Sequence, residues 1–256
     1  MVNFLKIFAF IVVFSKTLFL LSVSNAASPI SQVGGSDIEE GELSIESRFG
    51  LQNDKRQNDY DNYFQMRHHI DYGFSDWYAF RSIAFFDKKD DKNTKYHETG
   101  LENRFQIFRS KKNGWDGGFR LNYYLNNSKK NANKARFSIL SSFSFWQFFE
   151  FRNNIIFDKE TGSKSNGGIY LTIRNQISHK LYIDSDYVKI NTLSLAIFSD
   201  LNKMNKIGTY DEQEHEVRLI NVIKLKNDLN LSLGYGVGIS RSSSDRNISL
   251  SAGKDF

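Results

Sequence analysis

From position 43 to position 256 apolar side chains recur at every second residue, and nothing in that span shows the spacing of an amphipathic helix. A strand turns successive side chains to opposite faces, so a chain patterned this way folds as strands with one apolar and one polar surface. Leu43, Ile45, Ser47, Phe49 and Leu51 share a face in the first segment, and Phe64, Met66, His68, Ile70 and Tyr72 share one in the second. The alternation continues through segments ending at Phe86, Ile107, Leu125, Phe145, Phe157, Ile177, Leu225, Ile239 and Phe256. The span 181–199 reads either as one bulged strand or as two short ones, and parity favours one. The total is about twelve strands of about ten residues, the length that crosses a bilayer when tilted.

The composition agrees. Of 256 residues 40% are hydrophobic and 25% charged, which excludes a disordered chain, and the absence of cysteine excludes disulfide scaffolds and thiolate metal sites. A polytopic helical membrane protein is excluded because the only long apolar stretch lies at the start. There Lys6 precedes apolar runs over 7–14 and 18–23, followed by Ser24-Asn25-Ala26-Ala27, with small residues where a signal peptidase needs them. Residues 1–26 therefore read as a cleaved secretory signal, 27–41 as a polar, acidic periplasmic lead with the only proline, and 42–256 as one domain.

Connector lengths alternate. Long charged connectors cover 52–62, 87–97, 126–135, 158–168, 200–211 and 240–245; short ones fall at 73–76, 110–114, 146–147, 179–180 and 227–228. Long loops on one rim and short turns on the other characterise transmembrane barrels, and closure is required because unpaired strand edges cannot sit in lipid. The two faces differ as this demands: the alternating face is aliphatic and aromatic, while charges collect on the other. A soluble barrel would place the apolar face inside; export, strand number, aromatic richness and the chain end favour the membrane form. The expected fold is all-β, a transmembrane antiparallel up-and-down β-barrel of about twelve strands.

The chain end, from Ile248 through Leu250 and Ala252 to Phe256, resembles the assembly signal of bacterial outer-membrane proteins, with Lys254 departing from the usual apolar residue. That resemblance implies an outer-membrane location, lipid and lipopolysaccharide as surroundings, and recognition by the barrel-assembly machinery. Residues 41–51, Tyr72-Gly73-Phe74-Ser75-Asp76-Trp77-Tyr78, residues 101–107 and Tyr210-Asp211-Glu212-Gln213-Glu214-His215-Glu216 are similar to segments of an uncharacterised family of outer-membrane barrels. The similarity implies fold and location and carries no activity.

On the inward face lie Arg67, Arg81, Arg104, Arg120, Arg136, Arg152, Arg174 and Arg218, interleaved with His69, Asp71, Glu98, Glu102, Glu150, Asp184, Asp186, Glu214 and Glu216. Two readings follow: ion pairs that hold and partly close the lumen, or an arginine ladder along a narrow water-filled channel. Guanidinium groups bind carboxylates and phosphates bidentately, so the ladder suits small anionic or sugar-acid solutes. The expected function is a passive porin-like channel for small polar or anionic solutes, with a structural or surface-interaction barrel as the alternative.

Catalysis has one candidate. Should His68 lie opposite Ser82, and Ser82 opposite Asn103, the three would form a lipid-facing group resembling that of the outer-membrane phospholipase A. His68 and His69 cannot share a metal, because neighbours on a strand point apart. The acidic run 211–216 lacks the spacing of a calcium loop and reads as a solvated strand end. Lys88-Lys89, Lys129-Lys130, Lys159 and Lys164 sit in long loops, where they can meet lipopolysaccharide phosphates. Nucleic-acid binding is not expected from a net charge of +5 spread around a rim. Neither enzyme activity, cofactor nor metal is expected, and the oligomeric state is left open.

Overall fold

The structure, a computed structural model, describes residues 28–54, 62–89, 93–110, 114–128, 131–165, 167–183 and 185–256. The signal over 1–26, Lys129-Lys130 and Asp184 lie outside these. The strands are β1 (Leu43–Asn53), β2 (Tyr63–Gly73), β3 (Tyr78–Lys88), β4 (Lys95–Ser110), β5 (Trp115–Asn126) and β6 (Asn133–Phe145). They continue as β7 (Phe149–Thr161), β8 (Ile169–Leu181), β9 (Val188–Lys203), β10 (Glu214–Leu225), β11 (Leu229–Gly238) and β12 (Arg246–Asp255). Each pairs antiparallel with its neighbours in the chain, and β1 pairs with β12 to close a twelve-stranded up-and-down barrel. Closure is continuous from Ser44 opposite Asp255 to Asn53 opposite Arg246, and Phe256 N–H donates to the Leu43 carbonyl at 2.8 Å.

The exterior is the face the alternation marks out: Ile45, Leu51, Ile70, Leu121, Ile139, Leu195, Leu219, Leu233 and Leu250 all stand exposed. At the short-turn rim aromatic rings crowd together. Trp77 stacks with Phe105, Phe105 with Phe119, and Phe145 with Phe149, which in turn stacks on His179. Trp77, Trp115 and Trp146 all belong to this rim, the pattern of side chains that favour a membrane–water interface. Trp146 and Gln147 take positive φ (52° and 58°), the left-handed pair that a tight hairpin needs.

The ambiguous span resolves as one strand that begins at Val188, while β8 runs through Leu181. The connector between them is 182–187, longer than the expected turn at 179–180, so Asp186 sits in it and not on the lumen face. In β4 the register to β5 shifts between Gln106 and Phe108. Ile107 and Phe108 consequently both face outward, and Arg109, which strict alternation would point at lipid, is turned into the lumen; re-aiming a side chain is what a bulge does.

Residues 28–41 differ most from expectation. They do not extend from the periplasmic rim; they lie inside the barrel, running down its length from Ser28 and Pro29 beside Gln65 and Gly50 to Glu39 beside Gly73. The physical reason is a lumen with an apolar patch and unfilled donors, both of which the lead satisfies. Val33 packs on inward-facing Ala196, Phe198, Ile220 and Val222, forming a small hydrophobic core inside the cylinder. Burying a valine there contributes roughly 1.5–3 kcal/mol.

Candidate functional site

The lumen has two unlike walls. Most of the charges stand on β1 to β8, with Asp200 on β9 and Glu214, Glu216 and Arg218 on β10, and the rest of β9 to β12 presents mainly small or apolar groups such as Ala196, Ser194, Ser232, Ser251 and Gly253. All eight arginines expected on the inward face are there, and most are paired with carboxylates. Arg81 meets Asp71 at 2.6 Å and Glu102 at 3.3 Å, Arg104 meets Asp71 at 3.0 Å, and Arg136 grips Asp158 through two bonds of 2.6 Å. Arg152 meets Glu150 at 2.9 Å and Arg218 meets Glu216 at 2.6 Å. Arg48, which the sequence reading did not single out, meets Glu46 at 2.8 Å, and His69 reaches the same carboxylate.

These pairs have a sequence signature that the alternation alone overlooks. Glu-x-Arg occurs at Glu46/Arg48, Glu102/Arg104, Glu150/Arg152 and Glu216/Arg218. Residues two apart on a strand share a face, so three of the four form within their own strand. The fourth does not, because Arg81 and Asp71 lie closer to Glu102 and Arg104 across the register.

Three arginines stand apart. Arg67 lies over the Phe85 ring at 5.2 Å and faces Arg48 across the β1–β2 pair; Arg120 has Glu102 only at 3.9 Å; Arg174 has no carboxylate within 4.0 Å among the described residues. The Nε atoms of all three are buried without a hydrogen-bond partner. Buried guanidinium donors left unmatched are the part of such a lumen that an anionic group can still satisfy.

The lead engages the walls through its backbone. Arg218 donates to the carbonyls of Pro29 and Ser31, both at 2.8 Å, and Arg174 donates to the Gln32 carbonyl at 3.3 Å. Asn154 pairs with Gly34 twice, accepting from its N–H at 3.0 Å and donating to its carbonyl at 2.9 Å. Lower down, Gln106 accepts from the Ile38 N–H and Arg109 donates to the Ile38 carbonyl at 3.0 Å. Cavities beside the lead include one of about 220 Å³ bordered by Val33, Glu46, Arg152, Gln176 and Ile220 and one of about 120 Å³ bordered by Asp37, Asp71 and Arg104.

Two loci fall outside the lumen. His68 lies opposite Ser47 and Ala84, with its Nδ1 2.8 Å from Ser47 Oγ; Ser82 lies opposite Ile70 and Leu101, and Asn103 opposite Phe80 and Leu121. The register therefore does not assemble the Ser82–His68–Asn103 group. His69 points inward to Glu46, as adjacent strand residues must. Of the chain-end residues, Ile248, Leu250, Ala252 and Phe256 all face outward, and the ammonium of Lys254 sits 5.0 Å over the Phe256 ring, an accommodation for its departure from an apolar residue.

No family model and no curated relative matches the sequence. Solved structures do. A KdgM porin aligns with a TM-score of 0.58 at 9% identity over 83% of this chain and 99% of that one. A NanC porin gives 0.52 at 12% identity over 82% and 98%. An outer membrane channel from Pseudomonas putida gives 0.58 at 9% over 88% and 100%. At such identities the likeness is one of fold. The chain is thus a twelve-stranded antiparallel β-barrel of the architecture that outer-membrane porins share.

Proposed function

We propose that the protein is an outer-membrane channel for small polar or anionic solutes, exported by its N-terminal signal and acting without enzymatic chemistry. The observation that carries this reading is the lumen: a closed barrel, apolar outside, with arginines inside of which Arg67, Arg120 and Arg174 lack a tight carboxylate partner. Arg81, Arg104, Arg136, Arg152 and Arg218 line the same path as paired cations, giving mixed rather than uniformly positive walls. A barrel of about twelve strands leaves less room than the general porins, so the solutes are small. The lipid-facing girdle and the outward chain end support lipid, lipopolysaccharide and the barrel-assembly machinery as partners.

One observation favours a second reading, a non-conducting structural or surface-interaction barrel: the lead occupies much of the lumen. Single-channel recording of the refolded mature protein in a planar bilayer under a salt gradient separates the two. The channel reading expects stable conductance steps. Arg120→Ala removes an anion ligand and Arg136→Ala uncovers the Asp158 carboxylate, so each should move the reversal potential toward cation selectivity. A folded barrel that never conducts supports the second reading, and unchanged reversal potentials in both single variants and the double variant would count against the arginines as selectivity groups.

A further inference from the structure

The lead is held in an unusual way for a segment inside a barrel. Between Ser28 and Gly41 none of it belongs to a strand, and its backbone is bound by side chains of the wall. A segment without ladder hydrogen bonds opens at lower cost than the strands around it. Its strongest attachment is also chemically mismatched. Arg174 on β8 and Arg218 on β10 reach the Phe198 ring on β9 from its two neighbouring strands, at 5.7 Å and 4.6 Å, and the groups they meet from the lead are neutral carbonyls. Guanidinium bonds to a carboxylate are stronger than bonds to a carbonyl. Phe198 is completely buried, and Val33 is the lead's apolar contribution to the cluster around it.

We infer that residues 28–40 act as a displaceable internal ligand, covering a solute site made by Arg174 and Arg218 over Phe198 that binds a small carboxylate-bearing ring. This rests on the channel reading above and adds to it a closed state and the chemistry that opens it. The carboxylate takes the donors that the Pro29, Ser31 and Gln32 carbonyls occupy, and the apolar face of the ring replaces Val33 on Phe198. Arg174 is the more available partner, since it has a single 3.3 Å bond to the lead and an unmatched Nε, whereas Glu216 holds part of Arg218.

The test uses the mature barrel, the same barrel lacking 28–40, and Val33→Asp, which places a charge on the apolar patch and loosens the lead while leaving the chain intact. Folding is checked by heat modifiability on gels. Deletion and Val33→Asp should each raise conductance several-fold. Glucuronate should raise the open fraction of the mature barrel while glucose at equal concentration does not, and in the deleted form it should reduce chloride current, less so with Arg174→Gln. Equal conductance with and without the lead overturns the inference and leaves the channel reading standing. No conductance in any folded form removes both. Equal responses to glucuronate and glucose overturn the carboxylate site.

The absence of cysteine supplies a second, conductance-independent readout. Ser31→Cys places a lone thiol on the buried lead, and glucuronate should accelerate its maleimide labelling several-fold. Labelling that ignores glucuronate overturns displacement even where the deletion fails to fold.

Discussion

Arg218 is 1% exposed and divides its donors between the carboxylate of Glu216 and the carbonyls of three lead residues, Ser28, Pro29 and Ser31. Truncating it leaves Glu216 buried with Asn247 as its remaining hydrogen-bond donor at 2.5 Å, so Arg218→Ala should cost about 3–5 kcal/mol in urea unfolding of the detergent-folded barrel. An effect within experimental error would mean that water reaches Glu216. At the lower end of the lead, Glu42 behaves differently. Burial, then the carboxylates of Asp255 and Glu39, raise its pKa above the ordinary value, against a smaller opposing pull from Lys224. The folded protein thus holds this proton more tightly than the unfolded chain does. The resulting stability is fully present below the unfolded pKa and is lost as pH rises through the folded one. Thermal melts taken from acid toward neutrality should show that loss, and Glu42→Gln should abolish this contribution; an identical pH profile in the variant would exclude Glu42 as its source. The inward side of the eight arginines from Arg67 to Arg218 was legible from parity, that of Arg109 was not, and Glu-x-Arg spacing makes three ion pairs legible as well. That Arg104 turns to Asp71 is not, because it depends on the stagger between β2, β3 and β4.

The strands as elements were legible almost throughout, since one buried-or-lipid face fixes a period of two that no helix satisfies. Boundaries near irregularities were not: β9 starts after a six-residue connector, and the β4 bulge that turns Arg109 inward leaves no mark beyond an arginine at a lipid-facing parity. The lead escaped because its composition is that of a linker, while its partners are spread over several strands. Two inward glycines were the available signal. A Cβ at Gly50 would stand 2.7 Å from Pro29 Cβ, and one at Gly73 would stand 2.0 Å from the Glu39 carbonyl oxygen, so both strands are kept bare where the lead passes. Gly50→Val should therefore push the upper lead off the wall and speed hydrogen exchange across residues 30–34 in mass spectrometry. Leu51→Val, one residue away on the lipid face, should leave it unchanged. Equal exchange in both variants would mean that the lead does not depend on that close approach.

At the scale of the whole molecule, sequence and structure agree on the cylinder and differ on its contents. Alternation implied a polar interior, yet Ile83, Leu140, Ile156, Ala196 and Phe198 all point inward and are buried. They are hidden in plain view because a second apolar residue beside a lipid-facing one looks like a longer apolar run and not like a lumen contact. The exterior admits a test of the transmembrane arrangement itself. All three tryptophans belong to the short-turn rim, each more than half exposed, and none lies near the long-loop rim. Their shared emission therefore reports a single depth, at the interface where the amphipathic indole settles. In vesicles whose acyl chains carry bromine near the headgroup, emission should be quenched more strongly than in vesicles brominated near the chain ends. Stronger quenching from the chain ends would place the rim inside the hydrocarbon and shift the apolar belt along the barrel. Quenching by neither would mean that these rings do not meet lipid, and the apolar exterior would then need a protein partner to cover it.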